Sequence, residues 1–248
     1  MNINESLDCA QAMQELIRMG VETIITFDAH DNRVQNAIPN NGFDNFFTSY
    51  QFISTILNDM PDLIVDNEHL MTISPDEGGM RRAVFYSNQL GVDMGMFFKR
   101  RNYSTLVNGE HPVISMEFLG NDVSGKDVII VDDMIASGKT VLEVAKELKK
   151  RNAARVIICA TFGLFNDGLE ELDQAYKEKV FDHIYTTNLC YCPSALKERP
   201  YYHNVDLSRY IALIIDTLNH DTSVNDIMNA TKRIQELLEE RSKNISSK

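Results

Sequence analysis

The chain has 248 residues, 44% hydrophobic and 24% charged, with a formal net charge of −12 and a sequence pI of about 4.9. Such a composition fits a soluble globular protein of one large or two small domains with a sizeable core, and its acid excess excludes a general nucleic-acid binder. The opening Met1-Asn2-Ile3-Asn4-Glu5 lacks the basic and apolar regions of a signal peptide, and the longest late apolar run, YIALII, is far too short to span a bilayer.

The elements alternate along the chain. Apolar spacing predicts a helix over 6–19 and a strand over 21–27, VETIITF, which ends at Asp28-Ala29-His30-Asp31. A helix over 49–57 stops near Pro61, and a strand over 69–74 runs into Pro75-Asp76-Glu77-Gly78-Gly79. A helix over 80–90 and a strand over 93–98 lead to a long polar stretch, 100–112. Strands over 113–118, 128–131 and 155–161 follow, with a helix after the second of them. The pattern ends with a helix over 169–179, a strand in HIYTTN, a helix over 210–218 and a polar helix over 226–241. This rhythm implies a mainly parallel sheet covered by helices, with ligands held outside the carboxyl ends of its strands. A soft boundary between two α/β units falls near 58–67.

VIIVDDMIASGKT, residues 128–140, combines a β-branched strand, paired acids and a loop. Its SGKT ending looks like a nucleotide-binding P-loop, but that motif needs a glycine where Asp133 stands, and a carboxylate there repels phosphate. The remaining reading is strand, turn and helix. Ser137 and Thr140 are natural N-cap residues, and TVLEVAKELKKR has helical apolar spacing. Free amides at a helix N-terminus hold phosphate without a Walker motif. Asp132 and Asp133 suit the vicinal hydroxyls of a sugar, so the stretch reads as a sugar-phosphate site; the bland alternative is an ordinary turn with solvated acids.

Three further strand ends carry chemistry. In FDAHD, the neutral imidazole of His30 is a ligand for a divalent ion or a phosphate, set against an ordinary structural histidine. In SPDEGG, Gly78 and Gly79 let the backbone approach a pyrophosphate, and Asp76 can hold Mg²⁺; the alternative is a tight turn before a helix. In FFKRRNYS, Lys99, Arg100 and Arg101 open the polar stretch as a lid over a transferring phosphoryl group, or as a solvated turn. The four cysteines, Cys9, Cys159, Cys190 and Cys192, lack CxxC spacing and read as reduced thiols of a cytoplasmic protein.

The order FDAHD, SPDEGGMRRA, KRRNYS, VIIVDDMIASGKT resembles the ribose-phosphate pyrophosphokinases, from about Glu5 to about Asp221. The last motif alone resembles all phosphoribosyltransferases. The resemblance implies an α/β fold of phosphoribosyltransferase-like parallel sheets flanked by helices, with one partial and one complete unit. Residues 1–60 would be the remnant of the N-terminal domain, 61–221 the C-terminal domain with the ribose-5-phosphate loop, and 222–248 a helical tail. It also implies Mg²⁺-dependent transfer of the diphosphoryl group of ATP to O1 of ribose 5-phosphate, giving phosphoribosyl diphosphate and AMP for nucleotide biosynthesis. By position, Lys99 and Arg101 are the catalytic cations, and His30, Asp76, Gly78 and Gly79 bind the diphosphate of ATP. His30 and Asp76 are the implied metal ligands, and Asp132, Asp133, Ala136, Ser137, Gly138, Lys139 and Thr140 bind ribose 5-phosphate.

The sequence departs from that family in places. The family loop reads D-T-A-G-T; here an acid becomes Ala136 and a glycine becomes Lys139. Relatives carry about one hundred more residues ahead of the first helix, about one small domain, so an exposed sheet edge is expected. The implied assembly is a homo-oligomer, or a hetero-oligomer with a full-length synthetase, without nucleic acid or membrane. Two other functions stay open: a non-catalytic regulatory or split-gene homologue of the synthetase, and a nucleobase phosphoribosyltransferase.

Overall fold

A computed structural model describes residues 7–101 and 113–246. The chain divides into two compact units, Met1–Thr48 and Ser49–Lys248.

The first unit holds helix α1 (Asp8–Arg18), strand β1 (Thr23–Phe27), a 3-10 helix (Asn32–Ala37) and strand β2 (Gly42–Phe46). β1 and β2 pair in parallel from Thr23↔Gly42 to Phe27↔Phe46. Parallel neighbours need a crossover, which 28–41 provides. Its described core is small: Met13, Ile38 and Phe46 are buried, and Phe27 lies tilted against Phe46.

The second unit runs α2 (Ser49–Asp59), β3 (Leu70–Ser74), α3 (Met80–Leu90), β4 (Asp93–Arg101), β5 (Val113–Leu119) and β6 (Asp127–Ile135). It continues α4 (Lys139–Lys150), β7 (Val156–Gly163), α5 (Glu170–Lys177), β8 (His183–Thr187), α6 (Ser194–Lys197) and β9 (Tyr202–Val205). The helices α7 (Ser208–Asn219), α8 (Asn225–Met228) and α9 (Ala230–Ser246) close the chain. Seven strands form one sheet in the order β5-β4-β3-β6-β7-β8-β9, parallel except for β4 with β5.

The central strands explain their own place. β6 and β7 begin as β-branched runs, buried on both faces, as a strand between two helical layers requires. Side chains alternate across the sheet. Val128, Ile130, Val156 and Ile158 join Val141, Leu148 and Leu172 of α4 and α5 on one face. Ile129, Val131 and Ile157 join Ile53, Leu57, Ala83 and Ile234 of α2, α3 and α9 on the other. The division at Thr48 and Ser49 falls ahead of α2, whose apolar stripe fills this second core. α9 is pinned there by Arg241, which donates to the carbonyls of Leu57, Met60, Pro61 and Leu63 at 2.6–3.1 Å. Among the described residues no helix is long and apolar enough to cross a membrane.

Candidate functional site

The strand order reverses at β3. From β3 the chain moves outward to β4 and β5, then returns to place β6 on the other side of β3. Such a switch point opens a crevice at the carboxyl ends of the diverging strands. SPDEGG follows β3, and Asp132, Asp133 and the 136–140 loop belong to β6 and its exit, so the two motifs flank one crevice.

β6 is longer than its apolar run. The sequence expectation ends the strand at Val131, with the acids beyond it. Instead β6 continues to Ile135, because β7 goes on pairing with it, Asp132↔Ala160 and Ile135↔Gly163. β3 leaves β6 earlier, at Ile73↔Ile130. Asp132 and Asp133 therefore sit where β6 has lost one neighbour, on the crevice side.

Across the crevice stands Arg82 of α3. Its guanidinium nitrogens lie 3.9 Å from Asp132 Oδ1 and 3.9 Å from Asp133 Oδ1, with all three side chains largely buried. The Asp133 N–H donates to Asp132 Oδ1 at 2.9 Å. Burial, then the neighbouring Asp133 carboxyl, pushes the Asp132 carboxyl up to about 8, against the opposing pull of that N–H and of Arg82.

The turn after β3 is tightly made. Ser74 Oγ donates to the Asp76 carbonyl at 2.7 Å, and Asp76 Oδ1 accepts from the Gly79 N–H at 3.1 Å. A Cβ on Gly79 would come within 2.8 Å of Ser74 Oγ, so only glycine lets this turn close. Asp76 is half-buried, and Gly78 is exposed.

The exit of β6 is a short loop into α4. Gly138 takes φ of +91° at the head of α4, a left-handed conformation that favours glycine. The Lys139 N–H donates to Ser137 Oγ at 3.4 Å. Lys139 Nζ pairs with Asp167 Oδ2 at 2.9 Å. Ala136 and Thr140 are exposed, and Ser137 is half-buried.

Lys99 lies on β4, opposite Met116 of β5. Its Nζ donates to Glu143 Oε2 of α4 at 3.0 Å; the lysine side chain is 10% exposed and the glutamate 54%. β4 extends through Arg101, so the expected lid begins inside a strand; the rest of the polar stretch, 102–112, lies outside the described residues. His30 is exposed, in the turn after β1, where the Ala29 N–H donates to Asn45 Oδ1. It belongs to the first unit and Asp76 to the second, so their expected pairing stays a matter of sequence. Among the described residues no three His, Cys, Asp or Glu side chains cluster as a metal site.

The structure thus gathers Asp76, Gly79, Arg82, Asp132 and Asp133 along one crevice. Three residues at these positions carry no assignment in the sequence reading: Arg82, Glu143 and Asp167. Arg82 had a signal, since it lies inside SPDEGGMRRA just past the glycine pair. Glu143 and Asp167 had none, because only the fold brings them to Lys99 and Lys139.

The profile of the phosphoribosyl transferase domain matches residues 48–194. A ribose-phosphate pyrophosphokinase of Mycoplasma genitalium is 31% identical over 176 residues, covering 70% of this chain and 48% of that protein. A ribose-phosphate pyrophosphokinase of Vibrio parahaemolyticus is 30% identical over 220 residues, covering 86% of this chain and 63% of that one. The chain therefore spans about half to two thirds of the length of these curated relatives. The crystal structure of phosphoribosylpyrophosphate synthetase from Mycobacterium smegmatis superposes with a TM-score of 0.74 at 23% identity, over 88% of this chain and 66% of that one, and shares its fold.

Proposed function

The chain belongs to the phosphoribosyl transferase domain family, and from that premise we propose that it is a ribose-phosphate diphosphokinase. In this reading it transfers the β,γ-diphosphoryl group of ATP to O1 of ribose 5-phosphate, releasing AMP. The observation that carries the proposal is the crevice between β3 and β6, where a glycine-pair turn and a diacid sugar-phosphate motif face each other. A nucleobase phosphoribosyltransferase needs the second motif without the first.

The residues divide the work. The amides of 137–140 and the positive end of α4 hold the 5-phosphate. Asp132 and Asp133 take the ribose hydroxyls, and one proton retained on the pair lets it donate as well as accept. The sugar O1 attacks the β-phosphorus, the bond from that phosphorus to the α,β-bridging oxygen breaks, AMP leaves with that oxygen, and the hydroxyl proton passes to solvent. Lys99 and Arg101 neutralise charge that develops on the moving group. Asp76 is the residue of the second unit that would hold Mg²⁺. The half-buried Asp76 carboxylate is a hard oxygen donor of the type this ion takes, one or two at a time, beside substrate phosphates. When bound, the ion would screen the phosphate charges of ATP. The free cysteines fit a reducing, cytoplasmic compartment.

The test is AMP release from ATP with Mg²⁺, dependent on ribose 5-phosphate. Lys99→Ala is expected to lower the rate by about a hundredfold or more while leaving ribose 5-phosphate binding in place. Absence of ribose-dependent AMP release from wild type alone, together with no increase over a full-length synthetase when the two are combined, would overturn the reading.

A further inference from the structure

We propose that Asp167 regulates the phosphate loop through Lys139, occupying the lysine until the phosphate of a sugar phosphate displaces it. This rests on the reading of 136–140 as the 5-phosphate loop.

Lys139 is the first residue of α4, so its side chain leaves the backbone beside the amides of that loop. Its Nζ lies 2.9 Å from Asp167 Oδ2, with the two side chains 60% and 49% exposed. The seat of Asp167 is firmly built. The segment after β7 is laced to the phosphate loop through the main chain. Leu164 N–H donates to the Ile135 carbonyl at 2.9 Å, and Asn166 N–H donates to the Ala136 carbonyl at 2.8 Å. Phe165 takes φ of +48°, a left-handed conformation that is costly for a bulky side chain. Its buried ring holds it there, edge-on to Tyr202 at 6.5 Å. Gly168 follows at φ of +86° and completes the turn. This constrained segment holds the Asp167 backbone beside the loop that the proposed function assigns to the 5-phosphate.

A carboxylate in that position repels an incoming phosphate. Its favourable interaction is with Lys139, and an exposed pair of this kind is weak and screened by salt. A phosphate carries more charge, offers more acceptor oxygens and is also held by the α4 amides. The exchange therefore runs toward phosphate, and the lysine changes partner. Asp167 makes the loop discriminate: a neutral sugar cannot draw Lys139 away, whereas a sugar phosphate can. The two side chains should affect binding in opposite directions, which a purely structural ion pair would not do.

Calorimetric titration of the full chain with ribose 5-phosphate, and separately with inorganic phosphate, tests this. Asp167→Asn is expected to tighten both by about threefold, and Lys139→Ala to weaken both by about tenfold. Should Asp167→Asn unfold, Asp167→Ala carries the same expectation; melting of the unliganded variants distinguishes the cases. An Asp167 variant that folds and binds phosphate no tighter than wild type overturns the inference. If wild type binds inorganic phosphate but not ribose 5-phosphate, the sugar-phosphate reading fails, and the inorganic phosphate ratio still decides the role of Asp167. If wild type binds neither, both fall.

Discussion

Asp132 and Asp133 are a costly pair of residues. They are adjacent acids, largely buried, and each lies 3.9 Å from the Arg82 guanidinium. Burial disfavours the charged form, and the adjacent Asp133 carboxyl adds to it, so the Asp132 carboxyl is pushed up to about 8. The unfolded chain returns it to about 3.9. Between those values the folded protein holds a proton that the unfolded chain has lost, so stability falls as pH rises through this window. Urea unfolding of wild type across this pH range should show that decline. Asp132→Asn, which cannot titrate, should flatten it, and an equal slope in the variant would remove Asp132 as its source. Arg82→Ala leaves the acid pair without its nearby cation. It should weaken ribose 5-phosphate binding by about tenfold through disorder of the acids, measured by the same titration.

At the scale of elements, legibility follows how much of an element is written locally. β6 and β7 could be read because a β-branched run marks a strand buried on both faces wherever it occurs. β2, GFDNF, and β9, YHNV, escaped the reading because they are short and polar, and their partners fix them as strands. The end of β6 was misplaced for the same reason: β7, not local propensity, carries it through the two acids to Ile135. The site divides likewise. Glycines and acids next to strand ends are local and visible, whereas Lys99 reaches Glu143 and Lys139 reaches Asp167 only through the sheet. The terminal helix reads from sequence as polar and gives no sign of docking. Yet Ile234 is fully buried, and Arg241 crosses to four carbonyls at the end of α2. Those carbonyls include ones a helix end leaves without internal partners. Arg241→Ala should therefore cost about 2–4 kcal/mol in urea unfolding. A loss within experimental error would mean that solvent replaces the guanidinium there.

For the whole molecule, the decisive contrast lies between the two units. In the second, seven strands have helices on both faces, and β6 and β7 are each paired along both edges. In the first, β1 and β2 pair only with each other among the described strands, and the buried apolar side chains there are Met13, Ile38 and Phe46. A two-stranded parallel sheet is a weak arrangement in isolation, since each strand has one bonded edge and needs cover on both faces. Local stability follows buried apolar contact and hydrogen bonding, so the two units should open with different free energies. Hydrogen exchange followed by mass spectrometry on the full chain measures this directly. Peptides covering 23–27 and 42–46 should exchange at least about a hundredfold faster than those covering 128–131 and 156–160. Ligand titration sharpens the test: ribose 5-phosphate, whose proposed loop lies in the second unit, should raise protection over 128–140 and leave 23–27 unchanged. Equal protection in both units would mean that the chain unfolds as one cooperative body, and a single melting temperature would then describe it.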